Sequence, residues 1–281
     1  MSAQLRSVES LRLQEAKRMY LSQLIELYLR HGQIAGKSEQ TTLWYQHRLG
    51  AFEAHLKKQG HSLKVKQLTL GDAERYIGYL LNKNTRWEDH PAHKPDVGTR
   101  LSMSTVQGHA RALRALSKWS VEQDYFPQDL FAKLPLPKLP KRLYEILDEE
   151  EISRIIEAAD ALSTSGLRLR TVFLLVLDTG IRAAECAGLK IGNIDLKVGT
   201  IKVFGKGGKE RYVPIGQMAQ KELLTYINFH RPKPAHPDFD NLFLTADGAP
   251  LRYAALASMM RRLKERAAFG ACTCTKSGIP P

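Results

Sequence analysis

The chain has 281 residues, 43% hydrophobic and 25% charged, with a mean hydropathy of -0.32, which supplies enough apolar material for real cores and excludes a disordered or collagen-like polymer. Basic side chains outnumber acidic ones 42 to 29, giving a formal charge of +13 and a pI near 9.6, the balance of a protein that meets a polyanion. The longest apolar run, VFLLVL at Val172 to Leu177, is far short of the ~18 residues of a membrane span, MSAQLRSVES has no apolar signal core, and Cys186, Cys272 and Cys274 form no disulfide framework, so a reduced, cytoplasmic protein is expected.

From Glu15 onward, apolar residues recur at helical spacing: Leu21, Leu24, Ile25 and Tyr28 in a first helix, Trp44, Leu49, Phe52 and Leu56 in a second. A third is predicted from the capping candidate Thr69, with Leu70, Ala73, Tyr76, Ile77, Leu80 and Leu81 on one side, and a fourth from about Ser104, with Val106, Ala110, Leu113 and Leu116. Between these two, NKNTRWEDHPAHKPDVGTR reads as a surface loop; no convincing cysteine or carboxylate cluster accompanies its His90 and His93, so no metal site is expected there. Four helices over 15–131 make one helical domain. Prolines 127, 135, 137 and 140 then forbid a continuing helix, so 132–146 is expected to be an extended linker.

A second domain is expected over 147–281. LDEEEISRIIEAAD starts it, with Asp148 as N-cap, Glu149 to Glu151 at the positive end of the helix dipole, and Ile152, Ile155, Ile156 and Ala159 as the buried stripe. A helix apolar nearly all round, through Val172 to Leu177, should lie at the centre and stop at Asp178-Thr179-Gly180. GTIKVFGKGGKERYVPIG reads as a hairpin with Ile201, Val203 and Tyr212 alternating and Lys206, Lys209 and Arg211 at a basic tip. A helix over Gln217 to Phe229, a proline-rich loop, a short strand NLFLT, a turn at Asp247-Gly248 and a helix over Tyr253 to Ala268 complete the pattern. The positive charge is shared: residues 1–150 carry 23 basic and 17 acidic side chains, residues 151–281 carry 19 and 12, as if both domains touched one long anion.

Two segments carry the chemistry, TGIRAAECAGLKIGNID at Thr179 to Asp195 and VFGKGGKERYVPIG at Val203 to Gly216. A nucleotide-binding loop is excluded for the second, because Gly199 lies one residue too far from Gly205-Lys206 and Gly207 stands where Ser or Thr is required. Together the two segments resemble those of the tyrosine recombinases, the phage integrases and Xer-type proteins. In that family a TGLR-x-x-E segment precedes a hairpin reading GKGxKxRxVP. The likeness extends over the helical domain and linker, roughly 250 residues.

The resemblance implies a mainly α fold with a small β-sheet: a four-helix core-binding (SAM-like) domain followed by a mixed α/β recombinase catalytic domain. It implies site-specific recombination by DNA cleavage and rejoining through a phosphotyrosyl intermediate, with double-stranded DNA and other recombinase protomers as partners. No membrane, small-molecule substrate, metal or nucleotide cofactor is called for. Arg182 matches the first catalytic arginine, suited because a planar guanidinium grips two phosphate oxygens and never deprotonates, and Glu185 is placed to orient it. Lys206 matches the lysine that protonates the leaving 5′ oxygen, and Lys209 and Arg211 read as DNA-backbone contacts or hairpin supports.

The family's His-x-x-Arg segment and tyrosine nucleophile should follow the last helix, but LKERAAFGA is followed by CTCTKSGIPP. The catalytic domain is therefore expected to lack its C-terminal helices, the tetramer to assemble poorly, and Tyr253 to be a packing or capping residue, with no metal or thiol site at Cys272 and Cys274. The alternative function is a catalytically inactive DNA-binding protein that occupies recombination sites.

Overall fold

The computed structural model describes residues 12–15, 18–86, 96–140 and 146–274, without the side chains of 86, 163, 164, 206 and 269–274. His90 and His93, and the side chains of Lys206, Cys272 and Cys274, therefore lie outside the described residues. The chain divides into two compact units, Met1–Leu143 and Tyr144–Pro281.

The first unit is built on helices α1 (Leu21–Ile34), α2 (Glu39–Lys58), α3 (Leu70–Asn82) and α4 (Met103–Glu122). Their starts follow from polar caps. The Ser38 hydroxyl accepts the Thr41 N–H, Ser102 accepts that of Thr105, and Thr69 and Asp72 form a reciprocal capping box. One apolar core joins all four helices through Leu24, Leu49, Phe52, Tyr76, Leu113 and Leu116. The stripe is narrower than the periodicity implies, since Leu81 is exposed. Part of the expected surface loop is ordered as a small antiparallel ladder, β1 (Thr85–Arg86) against β2 (Asp96–Val97).

The proline segment begins docked on this unit. Phe131 and Leu134 are buried in its core, and the Pro137 carbonyl accepts from Gln107 Nε2 at 2.8 Å.

In the second unit α5 (Glu149–Asp160) starts on the predicted N-cap Asp148, whose side chain accepts from the Glu151 N–H at 2.7 Å. Helix α6 (Ser163–Thr179) is central, with Val172, Phe173, Leu174 and Leu175 buried; Leu177 at its end is exposed, because the last turn runs out of the core toward the site. Gly180 ends α6 in the left-handed region at φ 62°, which costs glycine little and lets the chain reverse into the short α7 (Ala183–Ala187).

The sheet has three antiparallel strands, β3 (Ile194–Asp195), β4 (Thr200–Phe204) and β5 (Glu210–Pro214), one more than the hairpin read from the sequence. Ile201 and Val203 face the core as expected, whereas Tyr212 lies on the open face, exposed. Helix α8 (Gln217–Thr225) continues into one wider turn at Tyr226–His230, and α9 (Tyr253–Cys274) closes the unit, longer than expected.

The predicted strand NLFLT is not one. Leu242, Phe243 and Leu244 are buried, but their segment makes only isolated bridges, Lys190 to Asn241 and Leu244 to Pro250. Arginines take the place of a ladder: Arg231 donates to the Asn241 and Leu242 carbonyls and the buried Arg168 to that of Leu244, so these backbone groups are satisfied without a neighbouring strand.

Candidate functional site

The site forms where the loop after α6 meets the hairpin. Ile181 is buried and anchors the loop, which puts Arg182 at the N-cap of α7 with its backbone extended. Three residues on, one turn of helix brings the Glu185 side chain back beneath it. Oε2 of Glu185 accepts the Arg182 backbone N–H at 2.9 Å, and Oε1 accepts Nη1 of Arg182 at 3.0 Å.

The hairpin supplies the other side. Arg211 lies opposite Val203 in the β4–β5 register, and Val203 is buried, so the strand is pinned where Arg211 reaches across to α7. Its Nη1 and Nη2 donate to the two oxygens of Glu185, each at 2.8 Å, the two-pronged geometry that planar guanidinium and carboxylate groups favour. The hairpin approaches closely: a Cβ on Gly205 would stand 3.4 Å from Nη1 of Arg211 and 3.6 Å from Oε1 of Glu185. The turn that follows, Lys206–Gly208, needs left-handed backbone at Gly207 and Gly208, at φ 77° and 72°.

The Glu185 side chain is only 4% exposed, Arg211 is 41% and Arg182 72% exposed. The hydrogen bonds from Arg211 hold the Glu185 carboxyl down at about 2, with those from Arg182 adding to the effect against the cost of burial, so it is ionised at any physiological pH. One buried anion thus faces two guanidiniums, and a net positive charge remains on the surface.

The structure brings Arg182, Glu185 and Arg211 into contact and sets the backbone of Lys206 one residue from Gly205. Lys209 is exposed and forms no ion pair among the described residues. Arg211, read from sequence as a DNA contact or hairpin support, spends its fork on Glu185. Tyr253 is exposed at the first turn of α9, which leaves it a helix-start residue and not a packing one. Cys186, between the site and the core, is fully buried and burial pushes its thiol up to about 12, as for an inert packing residue.

Sequence reasoning places Asp178 only at the helix stop and misses its contact: its Oδ2 accepts the Gly216 N–H at 2.7 Å and ties the hairpin's exit to the end of α6. The approach is close, since a Cβ on Gly216 would stand 2.6 Å from Asp178 Oδ1, but no local sequence pattern links residues 38 apart. Among the described residues no group of three or more His, Cys, Asp or Glu side chains is arranged to hold a metal, and no helix is long and apolar enough to cross a membrane.

Comparison with known proteins follows the same lines. The phage integrase family profile matches residues 145–271. A tyrosine recombinase XerC of Oceanobacillus iheyensis is 28% identical over 235 residues, 83% of this chain and 72% of that protein. A tyrosine recombinase XerC of Halalkalibacterium halodurans is 34% identical over 171 residues, 59% of this chain and 56% of that one. Among solved structures, a lambda integrase (75-356) dimer bound to a COC′ core site shares the fold with a TM-score of 0.66 at 14% identity, over 89% of this chain and 82% of that one. The Tn1549 transposon integrase in complex with circular intermediate DNA does so with a TM-score of 0.64 at 17% identity, over 94% and 81%. The matched profile, the Xer relatives and the shared fold support a tyrosine recombinase family, and such relatives imply site-specific recombination.

Proposed function

We propose that the protein binds a double-stranded DNA site and grips the phosphodiester to be exchanged, with Arg182 on its non-bridging oxygens and Lys206 beside its leaving 5′ oxygen. The observation that carries this reading is the exposed Arg182, held by a buried Glu185 next to the turn that bears Lys206.

A phosphodiester under in-line attack gathers negative charge on its equatorial oxygens, and a fixed cation already in place stabilises that charge without reorganising. Arg182 has the planar donors for this and cannot lose its proton. As the P–O bond breaks, the 5′ oxygen needs a proton, which a lysine on a tight turn can deliver and later reclaim. The nucleophile in this chemistry is a tyrosine hydroxyl, which forms a 3′ phosphotyrosyl bond as the 5′ hydroxyl departs. A hydroxyl of the partner strand then reverses the exchange, so no energy source or metal is consumed. Further recombinase protomers would hold the second strand.

A second reading is occupation of recombination sites without cleavage. A nicked duplex, in which cleavage releases a short fragment and traps the adduct, separates the two. A polypeptide of these 281 residues should shift the duplex on a native gel and give no DNA-linked band on a denaturing gel, since losing two members of a cooperative catalytic set removes many orders of magnitude of rate. A band abolished by Tyr253→Phe would identify a nucleophile where none is expected, and absence of any shift would remove DNA as the partner.

A further inference from the structure

We infer that Arg211 is a positioning residue for Arg182 and not itself a DNA contact: by neutralising Glu185 it leaves Arg182 as the uncompensated cation offered to phosphate. This rests on the reading of Arg182 as the phosphate ligand.

The hydrogen bonds support it first. Each Glu185 oxygen accepts two donors, Oε1 from Nη1 of both arginines and Oε2 from the Arg182 backbone N–H and Nη2 of Arg211. That fills the roughly four acceptor sites of a carboxylate. Arg211 commits both ends of its fork, whereas Arg182 commits one side-chain nitrogen; its Nε and Nη2 make no hydrogen bond among the described residues.

Charge and exposure point the same way. One carboxylate and two guanidiniums leave one unit of positive charge, and the more exposed Arg182 is where it is presented. Without Arg211, a carboxylate 4% exposed would have Arg182 as its sole cation. A buried charge left so poorly compensated pulls strongly on its remaining partner, so Arg182 would turn its fork inward and the pair would be neutral toward DNA. The same bridge ties the strand behind the Lys206 turn to the helix that carries Arg182. Lysine in place of Arg211 keeps the charge but not the fork, so it restores neutralisation without the full geometry.

The test is a double-mutant cycle on the full chain, with a mixed-sequence DNA duplex as probe and affinity read by fluorescence anisotropy over a salt series. Arg182→Ala should lower affinity about tenfold, the scale of one charge-assisted contact. Its slope of log K against log salt should become shallower by ~0.9. Arg211→Ala should do much the same, the double variant should be no worse than either single one, and Arg211→Lys should recover part of the loss.

Multiplying losses, with a slope shallower by about 1.8 in the double variant, would make Arg211 a phosphate contact and overturn the inference while leaving Arg182 in place. An Arg182→Ala protein that binds as well as wild type would instead overturn the underlying reading, and the inference with it. Should Arg211→Ala fail to fold because Glu185 is stranded, the Glu185→Gln background removes the stranded charge. There Arg211→Ala should cost no further affinity, whereas a direct contact would lose as much as before.

Discussion

In the first unit the Tyr76 hydroxyl lies 2.9 Å from Nδ1 of His109, with Tyr76 buried and His109 partly so, and burial together with the nearby charge of Arg48 pushes the imidazole down to about 4. In the second, Glu185 is buried as deeply as many core residues, yet its partners reach it from the surface and carry full charges. Both clusters satisfy polar groups inside a fold. The first does it with neutral donors and acceptors between helices, which fixes how α3 and α4 face each other; the second does it with ions, and leaves a cation outside. The difference lies in what remains after pairing: a buried Arg48 Nε without a hydrogen-bond partner in the first unit, one surface positive charge in the second. Cores differ accordingly. One cluster fills the first unit, whereas the second is divided between a cluster around α6 and the sheet and another between α5 and α9.

The widest separation between the two should come from a pair of substitutions with opposite consequences. Leu113, 1% exposed in the single core of the first unit, should cost about 2–5 kcal/mol when changed to alanine, through lost burial and an unfilled cavity. Arg182→Ala should change stability by no more than about 0.5 kcal/mol, because Glu185 keeps Arg211, while it removes a DNA contact. Tryptophans 44, 87 and 119 all fall in the first unit, so denaturant unfolding followed by their fluorescence reads that unit alone. A circular-dichroism transition that moves with Arg182→Ala as far as the fluorescence transition moves with Leu113→Ala would break the contrast, since the exposed cluster would then be holding up the fold of its own unit.

Acid should sharpen the contrast, with effects of intermediate size. His109 is held at about 4 in the folded chain against an ordinary 6.5, so it must stay neutral; its contribution is full above about 6.5 and is lost as pH falls toward about 4. Glu185 is held at about 2 against an ordinary 4.5, so its contribution is full above about 4.5 and is lost as pH falls toward about 2. Tryptophan fluorescence should therefore report loss of the first unit at higher pH than circular dichroism reports loss of the remaining helix. His109→Asn, which cannot be protonated, should flatten the upper window and leave the lower one in place. Coincident transitions in the wild type would show that the two clusters do not govern acid stability separately.

Much of this could be read before any coordinates. The caps Thr69 and Asp148 and the stop at Gly180 are short-range features that sequence spacing reveals; Ser38 and Ser102 cap just as locally, but the expected start near Ser104 misses the second by two residues and periodicity alone does not single out the first. Arg182 and Glu185 are three residues apart on one turn and their pairing follows from helical geometry. Arg211 is 26 residues from Glu185, and its partner depends on which face of β5 meets α7, which alternation does not reveal. Tyr212 misled for a related reason: alternation fixes that neighbouring residues point oppositely, not which of them points inward. The segment around Leu242 to Leu244 looked like a strand because it is apolar and short; Arg168 and Arg231 meet its carbonyls together with the Leu251 N–H, and the Leu189 carbonyl accepts the Leu242 N–H, so it needs no ladder.

The smallest expected effect belongs to Lys209, which sits on the same hairpin as Arg211 and tests whether the contrast extends within a single strand pair. Lys209 is exposed and forms no ion pair among the described residues, so its charge is available to a phosphate, unlike that of Arg211. Releasing one counterion fewer should make the slope of log K against log salt shallower by ~0.9 in Lys209→Ala. The loss should be similar for duplexes of different sequence, because a phosphate contact positions a protein without reading bases. It should also be independent of Glu185: Lys209→Ala should cost the same affinity in wild type and in Glu185→Gln, where Arg211→Ala is expected to cost nothing. Salt titrations of the four proteins on two unrelated duplexes measure all of this. A Lys209 effect that disappears with Glu185→Gln would mean that the turn acts as one unit through the buried carboxylate, and the boundary between positioning and contact residues would then lie outside the hairpin.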